Sequence, residues 1–230
     1  ISASVQFSSG SQKFGDTSDD IHQFTGSLFI SGSSISLGDG NNNVVLGNNV
    51  NFNIGTATNF TAVGYNAAGG NEGTGIGGQD ITVVGANAGK MMQQNPHRTT
   101  LFGASTGAAL NVGLENTFIG AYAGRYLTTA DKNVFLGTYA GYATVDVDNA
   151  VIIGYKAGFA NMTSAADGTI AIGYQAGYAL TSGAGNTLMG YRAALSATDS
   201  VAGAVAIGYD AMYSNTDSSG NVAIGYFALR

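Results

Sequence analysis

The chain has 230 residues, a formal net charge of −6, 36 glycines, one proline and no cysteine. Charged residues make up 10%, where an ordinary globular domain carries about 25%, while the apolar share is an ordinary 44%. This balance excludes a disordered tail, which pairs low hydrophobicity with high charge. It also excludes collagen, which needs glycine at every third position, and any disulfide or cysteine-ligated zinc site.

Eight Lys and Arg residues without a cluster argue against a nucleic-acid partner. No apolar run approaches the ~20 residues of a membrane span, so no membrane insertion is expected. The chain begins at Ile1 with neither a methionine nor a charged stretch leading into an apolar one. A fragment or processed form is therefore expected. It stops at Arg230 directly after a repeat motif, so further chain is expected beyond it.

In chain order, residues 1–42 form an N-terminal β segment and residues 43–60 a transition. Residues 61–230 form a repeat array. The transition holds two weak repeats, VVLGNN around Gly47 and FNIGTA around Gly55, at a shortened interval. The array is unmistakable once aligned on one glycine per repeat: Gly64, Gly85, Gly103, Gly120, Gly137, Gly154, Gly173, Gly190, Gly208 and Gly225. The spacings are 21, 18, 17, 17, 17, 19, 17, 18 and 17. A period near 17 with small insertions is the signature of stacked coils. The stretch NEGTGIGGQD (71–80) reads as an inserted loop, and GKMMQQNPHRTT (89–100) as an exposed one.

The position three before each anchor glycine is always β-branched, from Thr61 and Thr82 to Val205 and Val222. Such residues favour a strand over a helix. The position one before is always large and apolar, for example Phe102, Ile119, Leu136 and Ile153. These two columns share a strand face and are expected to form the core of each coil. The column between them is apolar as well, including Leu101, Phe118, Phe135, Ile152 and Leu188. An apolar run without alternation is what a strand buried on both faces looks like. These five residues are therefore expected to point outward and form an interface with other copies of the chain. Left in water, their stripe would run about 45 Å over ten coils and cover several hundred Å², near the limit a monomer tolerates.

The anchor glycine is expected to be a corner that needs positive φ. Three residues further on, nine of ten positions are alanine, a crowded place that admits only a methyl group. Two residues after the anchor the column is variable, and that scatter marks a solvent-facing row. Tyr122, Tyr139, Lys156, Gln175 and Arg192 are its candidate contact residues. Tyr65, Tyr155, Tyr174, Tyr191, Tyr209 and Tyr226 follow anchor glycines directly. Stacking between coils is the stronger reading for them and sugar binding the weaker. The fold expected from these columns is all-β, a β-solenoid or β-roll of 17-residue coils whose stability sums from coil to coil.

The strings AVAIGY (204–209) and NVAIGY (221–226) resemble the repeats of trimeric autotransporter adhesin heads, the YadA-like left-handed β-roll. The longer phrase with its Tyr-x-Ala-Gly continuation is even more similar to repeats of bacteriophage tail-fibre proteins. The stretch FGDTSDDIHQFTGSLFISGSSISLGDG resembles Gly-Ser-rich β segments of tail fibres from marine tailed phages. The resemblance implies a parallel homotrimeric fibre in a virion, assembled in the host cytoplasm and involved in host attachment. Its implied partners are other tail components and a cell-surface glycan or protein receptor. A bacterial surface adhesin is the alternative within the same physics.

Catalytic, metal and cofactor sites are not expected. His22 and His97 lack companions at metal-ligand spacing. Asp146 and Asp148 offer too few oxygens for calcium, and the acidic turn Asp16, Asp19 and Asp20 fares no better. A glycan-degrading solenoid would need clustered carboxylates, and the 14 acidic residues fall mostly in turns. An ice-binding solenoid needs an unbroken row of one small residue. The threonines stop at Thr117, resume at Thr187, and are expected to face inward.

Overall fold

The computed structural model describes residues 42–50, 56–70, 76–93, 96–198, 202–215 and 219–230, all within one compact unit, residues 37–230. The N-terminal β segment up to residue 41, Gly55, His22 and the Asp16–Asp20 turn lie outside the described residues.

Eleven short strands follow one another: β1 (Val44–Leu46), β2 (Thr58–Val63), β3 (Gln79–Val84), β4 (Thr100–Phe102), β5 (Thr117–Ile119), β6 (Val134–Leu136), β7 (Val151–Ile153), β8 (Ile170–Ile172), β9 (Thr187–Met189), β10 (Val205–Ile207) and β11 (Val222–Ile224). They form one parallel sheet in sequence order. Register is kept throughout, as in Thr117↔Val134 and Ile119↔Leu136. The chain is thus a parallel β-solenoid of about ten turns. The rung at Gly47, within the 43–60 transition, is in full register, with Val44↔Thr61 and Leu46↔Val63.

Each rung turns at its anchor glycine, whose φ lies between 126° and 140° from Gly47 to Gly225. From Gly47 to Gly208, a Cβ added at the anchor would come within 3.0 Å of the next anchor's carbonyl. Here glycine is needed for close approach of backbone to backbone as much as for φ. Two residues on, Asn, Ser, Tyr, Lys, Gln, Arg, Asp and Phe all adopt φ between 53° and 62°, so that column tolerates side chains that the anchor does not. The alanine column is buried as expected, from Ala67 to Ala211, and Thr106, the one residue in it that is not alanine, is buried too.

The strand faces are opposite to the sequence expectation. Leu101, Phe118, Phe135, Ile152 and Leu188, expected to form a trimer interface, are each 0% exposed. They point into the coil, where the Phe118 and Phe135 rings stack at 4.8 Å. The β-branched and large apolar columns point out. The cause is that both faces are apolar, so alternation gives the two faces but not which is inside. A one-residue change of reading exchanges them.

The residue four before the anchor shares the inner face, and in several rungs it is asparagine. Asn43, Asn116, Asn133 and Asn186 are buried. Asn133 Nδ2 donates to the Val147 carbonyl at 2.7 Å, and its Oδ1 accepts the Ala150 N–H at 2.8 Å. Its own backbone N–H donates to Asn116 Oδ1 at 3.0 Å. The amides thus join neighbouring turns where the backbone leaves the ladder. Asn133→Ala is expected to destabilise the fold by about 3 kcal/mol, since it strands a buried donor and a buried acceptor at ~1–3 kcal/mol each. The shift of the urea midpoint measures it.

The described parts of both predicted loops belong to the coil wall. In 71–80, Ile76 and Gly78 are buried and Gln79 begins β3; residues 71–75 lie outside the described residues. In 89–100, Met92, Pro96 and Thr99 are buried, leaving Lys90, Met91 and Arg98 at the surface. The segment 89–100 therefore closes a turn instead of projecting from it, apart from 94–95, which is outside the described residues.

Candidate interaction surfaces

The outer face of the sheet carries three columns. The first runs from Thr61 to Val222, the second from Val63 to Ile224, and the third follows the anchors from Tyr65 to Tyr226. Phe102 is 53% exposed, Ile119 43%, Met189 38% and Ile224 66%. At ~4.8 Å per rung and ~3.3 Å per residue, the face is about 48 Å long and about 15 Å wide, roughly 700 Å². The middle column, from Val63 to Ile224, is apolar throughout, whereas threonines stand in five rungs of the first.

From Tyr155 onward, tyrosines line one margin of this face. Tyr155, Tyr174, Tyr191, Tyr209 and Tyr226 stack ring on ring, with centroids 5.7, 4.9, 4.8 and 5.3 Å apart. Their faces are occupied by one another, so edges and hydroxyls meet the solvent. A flat ligand finds no free ring between successive members of this ladder.

The row proposed as exposed is only half-buried. Tyr122 and Tyr139 stack at 5.1 Å. Arg192 makes a two-pronged ion pair with Asp210, Nε to Oδ1 at 2.8 Å and Nη2 to Oδ2 at 2.6 Å. The Asp210 side chain is fully buried, although scatter in that column suggested solvent. Hydrogen bonding to Asp210 raises the Arg192 pKa above its ordinary value. That guanidinium is already committed. Beside the row, Tyr126 stands at 80° to Tyr142, 5.2 Å away. Hydrogen bonding to Tyr126 raises the Tyr142 phenol pKa above the usual value. Sequence reasoning missed this second aromatic column, five residues past the anchor, although Tyr142, Phe159 and Tyr178 recur there in phase.

Among the described residues, no group of three or more His, Asp or Glu is placed to hold a metal ion. Asp148 Oδ1 accepts the Asp131 N–H at 2.7 Å, and His97 Nδ1 accepts the Gln79 N–H at 3.2 Å. Both side chains are occupied in joining rungs. The threonine column faces outward, contrary to expectation. Thr61, Thr82, Thr100 and Thr117 lie on the outer face, but Phe102 and Ile119 protrude beside them and Val134, Val151 and Ile170 continue the row. That surface is neither flat nor hydroxyl-lined along its length.

Among the described residues, no helix is long and apolar enough to cross a membrane. No protein-family model, curated protein or solved structure matches the chain.

Proposed function

We propose that the chain is a structural rod segment of a bacteriophage tail fibre. Three parallel copies pack their outer sheet faces around a common axis, and the assembled rod serves host attachment. The observation that carries this is the outward column of large apolar residues, unbroken from Leu46 in β1 to Ile224 in β11 and flanked by tyrosines from Tyr155 to Tyr226. Its area of roughly 700 Å² approaches the ~800 Å² per partner of a stable interface. Aromatic and large apolar groups dominate it, as in interface cores.

Register between rungs gives the rod stiffness, and parallel copies in register let every rung meet its equivalents. Attachment then gains from several equivalent sites on one rod. The partners of this reading are further copies of the chain, other tail components and a cell-surface receptor. The location is the virion.

Sedimentation equilibrium tests the assembly. The expected species is a trimer, and Phe102→Glu combined with Ile119→Glu is expected to dissociate it while the far-UV circular dichroism stays that of the folded chain. A folded monomer at micromolar concentration in the unsubstituted protein overturns the reading.

A further inference from the structure

The turn beyond the tyrosine margin carries two cations without a carboxylate. The Arg125 guanidinium lies 5.2 Å from the Tyr122 ring and 5.3 Å from the Tyr126 ring. The Lys156 ammonium lies 5.3 Å from the Phe159 ring, 5.4 Å from the Tyr155 ring and 6.0 Å from the Tyr139 ring. Among the described residues the ion pairs are Arg98–Glu115 and Arg192–Asp210. Neither Arg125 nor Lys156 is in one of these pairs, whereas Arg192 on the same corner is held by Asp210.

Rings hold these cations at the surface, and the rings leave a particular chemistry exposed. Tyr122 and Tyr139 lie within 5° of parallel, so no base or flat aromatic can slip between them, which argues against single-stranded nucleic acid. What remains outward is ring edges, phenol hydroxyls and the 44%-exposed Tyr126. Apolar edges, hydroxyls that donate and accept, and fixed positive charge match a ligand rich in hydroxyls and C–H groups that also bears anions.

We propose that this corner, over the rungs of β5 to β7, binds an acidic glycan containing uronate residues. The rung repeat of ~4.8 Å is close to the advance of one pyranose along a chain. Arg125 and Lys156 belong to rungs two apart, about 10 Å along the solenoid axis, a spacing that suits carboxylates on alternate sugars. The net charge of −6 over the whole chain disfavours a polyanion away from such cations. The biological role as a receptor contact rests on the attachment reading above, but the binding itself does not require it.

The test is calorimetric titration of the whole chain at low ionic strength with a defined oligogalacturonate, and with a maltooligosaccharide of equal length as the neutral control. The oligogalacturonate is expected to bind and the neutral sugar not. Arg125→Ala combined with Lys156→Ala is expected to weaken binding by at least about tenfold, ~1.4 kcal/mol, with Lys132→Ala leaving it unchanged. Sedimentation of the same samples separates this from assembly. Absence of oligogalacturonate binding overturns the proposal, as does equal binding of both sugars or binding that survives the double substitution. If the double substitution dissociates the oligomer and leaves sugar binding intact, the corner is a seam between copies and the proposal falls.

Discussion

Gly120→Ala is expected to destabilise the solenoid by about 4 kcal/mol or more and to split its thermal unfolding into two transitions. Gly120 has φ of +132°, a region that costs an L-residue about 1–3 kcal/mol. The added methyl would also sit 2.6 Å from the carbonyl carbon and oxygen of Gly137. That neighbour is backbone and cannot rotate away, so the rungs must part. Parting them breaks the bond from Gly137 N–H to the Ile119 carbonyl, 2.8 Å long.

In a solenoid each rung touches only its neighbours, and a weakened interface in mid-array uncouples the two sides. Gly225→Ala separates the two causes. Its φ of +126° is equally unfavourable, but a Cβ there meets nothing within 4 Å. It is expected to cost only the conformational part, about 1–3 kcal/mol. Differential scanning calorimetry reads both effects, and equal losses in the two variants would refute the close-approach argument.

What the sequence makes legible follows from what repeats and what alternates. The glycine phase gives the rung length, and the β-branched column gives the strand, because each property is local to its residue. Which face is inside is not local. Phe135 and Leu136 are both large and apolar, and only the volume available within a turn of some 17 residues separates them. One signal does distinguish the columns. The inner one varies from Ala62 and Ala171 to Phe118, as a core column does when other positions in the same rung fill the space. The outer one, from Val63 to Ile224, never falls to alanine.

The buried asparagines pull the other way. Asn133 shares a face with Phe135, and an amide read as a surface group carries the phenylalanine outward with it. Its inward placement depends on the carbonyl of Val147 and the N–H of Ala150, partners fixed only once the turns are stacked. The buried Asp210 was hidden for the same reason. Its partner Arg192 lies 18 residues earlier, one rung away, and neither residue alone signals the pair.

Phe135→Asp and Leu136→Asp, at adjacent positions, are expected to fail in different ways. At Phe135 the new carboxylate would face the apolar interior of the coil, where Phe135 is 0% exposed, and the aromatic stack on Phe118 would be lost. Removing a buried phenylalanine side chain costs about 3–5 kcal/mol, and burying an unpaired charge adds several more. Together these approach the entire stability of a typical domain, about 5–15 kcal/mol. The chain is expected to lose its β signal in circular dichroism and to be recovered as aggregate.

At Leu136 the same carboxylate would stand on the outer face, solvated in the single chain. The fold is expected to survive, with thermal unfolding of the monomer displaced by only a few degrees. What fails there is association, since three copies would bring three carboxylates together near the axis, where like charges repel in a desolvated setting. Folded monomer from Leu136→Asp, beside aggregate from Phe135→Asp, is the paired result that the strand orientation and the proposed assembly jointly demand. Intact oligomer from Leu136→Asp would remove the outer face from the interface, whereas soluble, folded Phe135→Asp would contradict the strand orientation itself.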